Sequence, residues 1–310
     1  SADARAEKSS LMSTALEIIG ASEMTDKSAI DYFTEVGSVE AVNARTGTDT
    51  SPRLAEIMTS LVKHLHAFTK EVEITQDEWN AAIDFFTRTG HMCDEYRQEF
   101  ILLSDVVGLS MLVDAINSRR PEGATENTVM GPFHLEGAPE YEMGANITLQ
   151  GKGETCTFAG SVRDTQGNAI DGAKIDVWSD SEDGYYDVQQ PDIQPLYNNR
   201  GVFRTGADGI YHFKGQKPVS YPIPDDGPVG QLLGHLGRHP NRPAHMHYIV
   251  SAPGFQTIVT HTFVDDDQYL TSDAVFGVKE SLISTFEENP AGDTKFHAPF
   301  DFVLTAEKTA

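Results

Sequence analysis

Two histidines two residues apart, His245 and His247, lie in the run Leu236-Gly237-Arg238-His239-Pro240-Asn241-Arg242-Pro243-Ala244-His245-Met246-His247-Tyr248. The segment reads as the entry to a strand. On a strand residues i and i+2 point to one face, so both imidazoles can reach a single metal ion. His-x-His by itself is a weak signal, because two polar residues on a solvated face give the same pattern. With a metal present the pair suits zinc, copper or iron, and the third and fourth ligands decide among them. Arg242, just ahead of the pair, is a permanent cation. It can serve an ion pair with one of the many carboxylates or stabilise a developing negative charge. Two further segments, Gly184-Tyr185-Tyr186-Asp187 and Val219-Ser220-Tyr221-Pro222-Ile223-Pro224, read as loops that hold tyrosines outside any alternating strand pattern. A loop tyrosine is ordinarily a hydrogen-bonded packing residue. Beside His-x-His it becomes a candidate ligand.

The elements that must position these residues fall into two textures. From Ser51 to about Arg120 the pattern is helical: Leu54, Ile57, Met58, Leu61, Val62, Leu65 and Phe68 form one apolar stripe. Ser51 is a candidate N-cap ahead of Pro52. Thr75-Gln76-Asp77-Glu78 is a capping box, followed by Trp79, Ile83 and Phe86 on one face. A third helix is expected from Glu95 to about Asn117, buried on most sides because it is almost continuously apolar from Phe100 to Ile116. The stripes together read as helix-bundle core.

After Pro121-Glu122-Gly123-Ala124 short β-rich runs alternate with Gly, Pro, Asn and Asp. Thr155–Val162, Ala173–Trp178, Gly201–Thr205, Tyr211–Lys214, His245–Ala252, Thr257–Val264 and Phe302–Thr305 read as strands. With no helix between most of them, they predict an antiparallel β-sandwich rather than a parallel α/β sheet. The fold class expected is α+β: a helical N-terminal domain over residues 1–125 and a β-sandwich catalytic domain over 126–310.

Composition narrows the function further. The chain has 310 residues, Lys plus Arg 23 against Asp plus Glu 47, and a formal charge of −24. Such an acidic surface repels phosphate backbones and anionic lipid headgroups, so nucleic acid and membranes are not the expected partners. Apolar runs such as Phe100-Ile101-Leu102-Leu103 fall far below the ~18 residues of a membrane span. Ser1-Ala2-Asp3-Ala4-Arg5 lacks the basic-then-apolar pattern of a secretion signal. Cys93 and Cys156 make neither a disulfide framework nor a four-thiolate zinc site, which reads as a reducing, cytoplasmic protein. Phosphate-binding glycine loops, dinucleotide turns and Gly-x-Ser-x-Gly elbows are missing.

The arrangement of Tyr186, Tyr221, Arg242, His245 and His247 resembles the intradiol aromatic-ring dioxygenases. The resemblance covers about residues 95 to 305. It includes Gly131-Pro132-Phe133 with Gly137-Ala138-Pro139, Gly160-Ser161-Val162-Arg163-Asp164 with Gly167, and Gly172-Ala173-Lys174-Ile175-Asp176-Val177-Trp178. The stretch from Gly227-Pro228 through Gln231-Leu232-Leu233 to His245 completes it. It implies one non-haem Fe(III) per subunit held by Tyr186, Tyr221, His245 and His247. It also implies a homodimer formed through the N-terminal helices, with a phospholipid bound at the interface. The ligand set is consistent with elementary chemistry. Free tyrosine titrates near ~10, so a strong positive centre is needed to keep two phenolates ionised at neutral pH. Two phenolates and a hydroxide neutralise the ferric charge, which a low-dielectric cleft tolerates.

The implied substrate is a 1,2-dihydroxybenzene that chelates the iron and displaces Tyr221, which acts as a departing base while Tyr186 stays bound. Arg242 would stabilise the negative charge as dioxygen attacks. Both oxygen atoms enter the product, and the ring opens between the hydroxyls.

Val129-Met130-Gly131-Pro132-Phe133, Gly184-Tyr185-Tyr186-Asp187-Val188-Gln189 and Val264-Asp265-Asp266-Asp267 resemble most the enzymes that open 1,2,4-trihydroxybenzene (hydroxyquinol) to 3-hydroxy-cis,cis-muconate or its keto form, maleylacetate. By the same resemblance Asp105 lies over the pocket and accepts the third hydroxyl's proton. Leu102, Val129, Met130, Gly131, Pro132, Phe133, Ile223, Pro224, Arg242 and Val275 line the pocket. His261 stands where related catechol enzymes carry a glutamine and is assigned no role. Tyr211 and Tyr248 read as structural strand residues. The alternatives are a catechol or chlorocatechol 1,2-dioxygenase, a non-catalytic β-sandwich binding module, and a zinc hydrolase. The last lacks a third zinc ligand near the pair.

Overall fold

The computed structural model describes residues 32–94 and 97–307. They form two compact units, one ending at Asp84 and the other beginning at Phe85. The expected absence of a leader at Ser1–Arg5 and the expected helix start at Glu95 lie outside the described residues.

The first unit is helical. Helix α1 (Ser38–Asn43) precedes α2 (Pro52–Glu71), whose N-terminus is capped by the Ser51 side chain accepting from the Leu54 N–H. Helix α3 (Gln76–His91) opens with the capping box read from the sequence: the Thr75 N–H donates to Glu78 at 2.9 Å, and the Glu78 N–H donates to the Thr75 hydroxyl at 3.3 Å. The apolar stripes are not core, however. Helix α2 buries no residue, and Leu54, Ile57, Met58, Leu61, Leu65, Phe68, Trp79, Ile83 and Phe86 are all exposed in the single chain.

The single helix expected from Glu95 to Asn117 is instead two, α4 (Glu99–Val106) and α5 (Leu109–Asn117). Gly108 between them has φ +75°, a left-handed conformation that cannot continue a right-handed helix. Nor is the segment buried on most sides. Val106 and Met111 are inside, while Phe100, Ile101, Val107, Leu109, Leu112, Val113 and Ile116 face outward.

The second unit is dominated by two sheets. One joins β1 (Thr155–Asp164), β4 (Ile210–Gln216), β10 (Glu287–Glu288), β11 (Phe296–Pro299) and β12 (Phe302–Leu304). The other runs in the order β3 (Arg200–Arg204), β2 (Lys174–Trp178), β7 (His245–Ser251), β8 (Ile258–Val264), β9 (Ile283–Ser284). A two-residue ladder, β5 (Tyr221–Pro222) with β6 (Asn241–Arg242), stands apart from both. Helix α6 (Pro228–His235) lies between β5 and β6 in the chain.

The sheets are mixed, which corrects the expectation of an antiparallel sandwich. Strand β1 pairs antiparallel with β4 but parallel with β11 and β12, and β8 pairs parallel with β9. Parallel neighbours need a long crossover, and here the chain passes through the whole second sheet before returning beside β1. Alternation within a strand carries no information about that direction.

The core is the space between the sheets. Phe158 stacks on Phe213 with ring centroids 5.0 Å apart, Phe213 on Phe203 at 5.0 Å, and Tyr248 meets Phe302 at 4.9 Å. Tyr211 and Tyr248 belong to this core, as read from the sequence. Gly160 marks where β11 gives way to β12 along β1. A Cβ there would lie 1.7 Å from the Phe300 carbonyl oxygen and 3.1 Å from the Tyr211 ring. Gly160→Ala therefore has to push the C-terminal edge off β1, and we expect it to cost about 1–3 kcal/mol. An unchanged urea midpoint at constant m-value would contradict that.

Candidate metal centre

Strand β7 has one face in the core and one in the site. Met246, Tyr248 and Val250 point between the sheets, so His245 and His247 must point the other way. Cross-strand register extends the site face sideways. His247 is paired with Trp178 on β2 and with His261 on β8, and Trp178 is paired with Arg200 on β3. The Trp178 indole stacks on the His247 ring at 4.5 Å and 11°.

The tyrosines arrive from two other directions. Tyr186 precedes a short 3-10 turn at Asp187–Gln189, where the Gln189 side chain accepts the Tyr186 N–H at 2.9 Å. Asp187 fastens this turn from below. Its carboxylate takes the Arg200 Nε at 2.9 Å, also receives Arg200 Nη2, and accepts the Tyr197 N–H at 2.7 Å. Tyr221 is not in a loop, as its sequence context suggested. It is the first residue of β5, paired directly with Arg242 on β6. One short ladder thus delivers both a candidate ligand and the candidate cation.

The four side chains converge. Tyr186 Oη lies 2.9 Å from His247 Nε2 and 3.3 Å from Tyr221 Oη, and the two histidine Nε2 atoms are 3.2 Å apart. Donors held about 2.0–2.1 Å from one ion in a tetrahedral arrangement stand about 3.3 Å apart, so this spacing fits a common metal. The proton inventory agrees. His245 Nδ1 donates to the Pro243 carbonyl at 2.7 Å, which leaves Nε2 as a lone pair facing the other donors. Burial and the neighbouring Arg242 push His245 down to about 3, and burial with His245 and Arg242 nearby holds His247 well below its ordinary range. Both imidazoles are therefore neutral and able to ligate. Burial pushes both tyrosines up, partly offset at Tyr221 by Arg242, so a cation is required to ionise them. The donor set fits a hard, highly charged metal ion.

Arg242 is both an ion-pair partner and a member of the site. Its Nη1 lies 3.3 Å from His245 Nε2, while Nε and Nη2 meet the Asp273 carboxylate at 3.2 and 3.4 Å. Asp273 is itself held by the N–H groups of Val275 and Gly277. Burial works against both charges, but each partner stabilises the other, so Arg242 is held above its usual range and Asp273 below.

Leu102, Val129, Ile223 and Val275 come together in one apolar cluster with Val106, Val229 and Leu233. Phe133 stacks on Tyr186 at 4.6 Å. Gly131 lies behind His247: φ is +74°, and a Cβ would sit 3.2 Å from His247 Cε1. Met130, Pro132 and Pro224 are exposed. Asp105, on α4, is raised by burial, while a hydrogen bond from Ser110 and the Arg242 charge pull it down.

Residues 129–306 match the dioxygenase family profile and residues 51–125 match the catechol dioxygenase N-terminus profile. The chain belongs to the intradiol dioxygenases. Among members of that family, it is 59% identical to hydroxyquinol 1,2-dioxygenase from Rhizobium sp., over 83% of this chain and 87% of the relative. It is 51% identical to 6-chlorohydroxyquinol 1,2-dioxygenase from Cupriavidus pinatubonensis, over 86% of this chain and 95% of that one. The crystal structure of hydroxyquinol 1,2-dioxygenase from Pseudomonas putida superposes with a TM-score of 0.85 at 46% identity, covering 88% of this chain and 99% of the other. Membership of an enzyme family replaces the binding-module alternative for this dioxygenase.

Of two features of this site, sequence reading missed one, Asp273, and left the other, His261, without a role. Asp273, the partner of Arg242, lies in a turn with no local signal. His261 is the third histidine that the zinc reading lacked: the nitrogens of His245, His247 and His261 lie within 4.8 Å of one another. On β8 it is paired with His247, and Phe263 two residues on is paired with His245.

The Asp187–Arg200 pair gives a direct test of how the Tyr186 turn is held. Asp187→Asn leaves a fully buried guanidinium without its counter-charge, and we expect a loss of about 3–5 kcal/mol in denaturant unfolding. A loss below about 1 kcal/mol, the range of surface pairs, would show that the pair does not anchor the turn.

Proposed function

We propose that this dioxygenase opens 1,2,4-trihydroxybenzene with dioxygen between its adjacent hydroxyls, giving 3-hydroxy-cis,cis-muconate or its keto form maleylacetate. The observation that carries the reading is the convergence of two buried phenols and two neutral imidazoles within 3.3 Å, on a chain with hydroxyquinol-cleaving relatives. Tyr186, Tyr221, His245 and His247 would hold one Fe(III) per subunit. Bound there, ferric iron would supply a Lewis-acid centre for the ionised phenols and the diol oxygens.

The remaining steps belong to the chain. His245 is fixed in the ligating tautomer by the Pro243 carbonyl, and Tyr221, once ionised, would be the base that takes a substrate proton. Arg242 carries a permanent charge, pre-oriented by Asp273, toward the place where the ring becomes electron-rich. Leu102, Val129, Ile223 and Val275, packed in one apolar cluster, would give the ring a wall, and Gly131, Phe133, Met130, Pro132 and Pro224 would complete the mouth. Asp105, half-buried within the reach of the Arg242 charge, accepts the third hydroxyl. An acceptor left unpaired by catechol discriminates against it strongly.

Residues 1–125 would form the dimerisation and linker domain and 126–310 the catalytic domain. The exposed apolar stripe of α2 supports a homodimer through these helices, with a phospholipid held between them. No helix among the described residues is long and apolar enough to cross a membrane. The free thiols of Cys93 and Cys156 support a reducing cytoplasmic setting.

Comparing initial rates on hydroxyquinol and catechol tests the substrate, and a clear preference for catechol would replace this reading with the catechol or chlorocatechol alternative. Tyr221→Phe should retain iron but turn over about 10²–10⁴-fold more slowly, the span of a lost general base. Full turnover in that variant would remove the role given to Tyr221. Asp105→Asn should lose rate selectively on hydroxyquinol, whereas equal loss on both substrates would mark Asp105 as a structural acid.

A further inference from the structure

His261 is fully buried on β8, and neither of its ring nitrogens has a hydrogen-bond partner in the chain. The Val129 backbone is close by but does not reach hydrogen-bonding geometry with either nitrogen. Its ring stacks on His245 at 4.5 Å and 23° and meets His247 edge-on at 4.1 Å and 78°. A neutral imidazole always carries one N–H donor and one acceptor nitrogen. Buried polar groups of native proteins are nearly always paired, and exceptions mark a bound species or a catalytic role. An apolar residue would fill this place in the core without leaving two ring nitrogens unpaired.

The missing partner has to lie on the face that His261 shares with His245 and His247. A fifth metal ligand is the competing assignment, since one nitrogen from each of His245, His247 and His261 lies within 4.8 Å of the others. His261 is absent, however, from the series of 2.9–3.3 Å contacts that joins Tyr221, Tyr186, His247 and His245.

We propose that His261 is a further catalytic residue, whose ring N–H would donate a hydrogen bond to an oxygen of the bound diol. The inference rests on the iron-site reading above. It gives the third histidine a role that neither ligation nor core packing supplies.

The test uses the full-length, iron-loaded protein and two apolar variants, His261→Phe, which keeps the ring stack, and His261→Leu, with His261→Gln as a rescue that restores a donor. Iron per subunit, the visible tyrosinate band and anaerobic hydroxyquinol affinity are read for each. Retained iron, a displaced band and about tenfold weaker substrate binding in whichever apolar variant folds, with His261→Gln within threefold of the parent, is the expected result. Parent-like binding and an unmoved band in either apolar variant would make His261 a core residue and overturn the inference. Loss of iron from an apolar variant whose fold is intact would overturn it in favour of ligation. A parent protein that takes up no iron and shows no band would remove the site itself, a result separable from the others before any variant is made.

Discussion

Everything at the centre depends on the two-residue period of one strand. Strand β7 commits Met246, Tyr248 and Val250 to the space between the sheets, and the same pleat sends His245 and His247 to the opposite face. A one-residue slip of register would exchange the two sets, burying imidazoles in an aromatic core and exposing the core residues. Selection of the hydrophobic face therefore also selects the ligand face. The neighbouring strands inherit the choice through pairing, which is why Arg200, Trp178, His247 and His261 form one row across four strands.

Around that row two buried ion pairs fix direction. Asp187 with Arg200 anchors the turn that carries Tyr186, and Asp273 with Arg242 aims a cation at the site. Each pair is further satisfied by backbone N–H groups, the condition under which an internal ion pair is tolerable. Neither pair offers much net stability relative to apolar residues. What each supplies is direction, because a guanidinium fork bound on two atoms cannot rotate. The metal donors are the opposite case: neutral imidazoles and protonated phenols whose mutual approach is relieved by a cation.

The helical part follows different physics. Helix α2 is well capped and strongly amphipathic, yet it keeps its apolar side exposed in the single chain. An unburied stripe of that length is a large exposed hydrophobic surface. Periodicity could report that the stripe exists, but not whether the rest of the chain covers it.

The strand-rich texture and the capped helices were legible in the sequence by itself, because each follows from short-range rules, alternation and capping. The Tyr/His set was read from a family resemblance spread over the chain, since His-x-His alone is a weak signal. The two-residue ladder β5–β6 was not legible, since two residues carry no periodicity, and Tyr221 was accordingly read as a loop residue. The break at Gly108 was hidden inside a continuous apolar run, and the parallel pairing of β1 with β11 and β12 was hidden by alternation that is blind to direction. Only the tertiary structure joined Arg242 to Asp273 and brought His261 against His245 and His247. These contacts connect positions that share no local pattern, and they exist because sheet register and a distant turn happen to meet over one small volume.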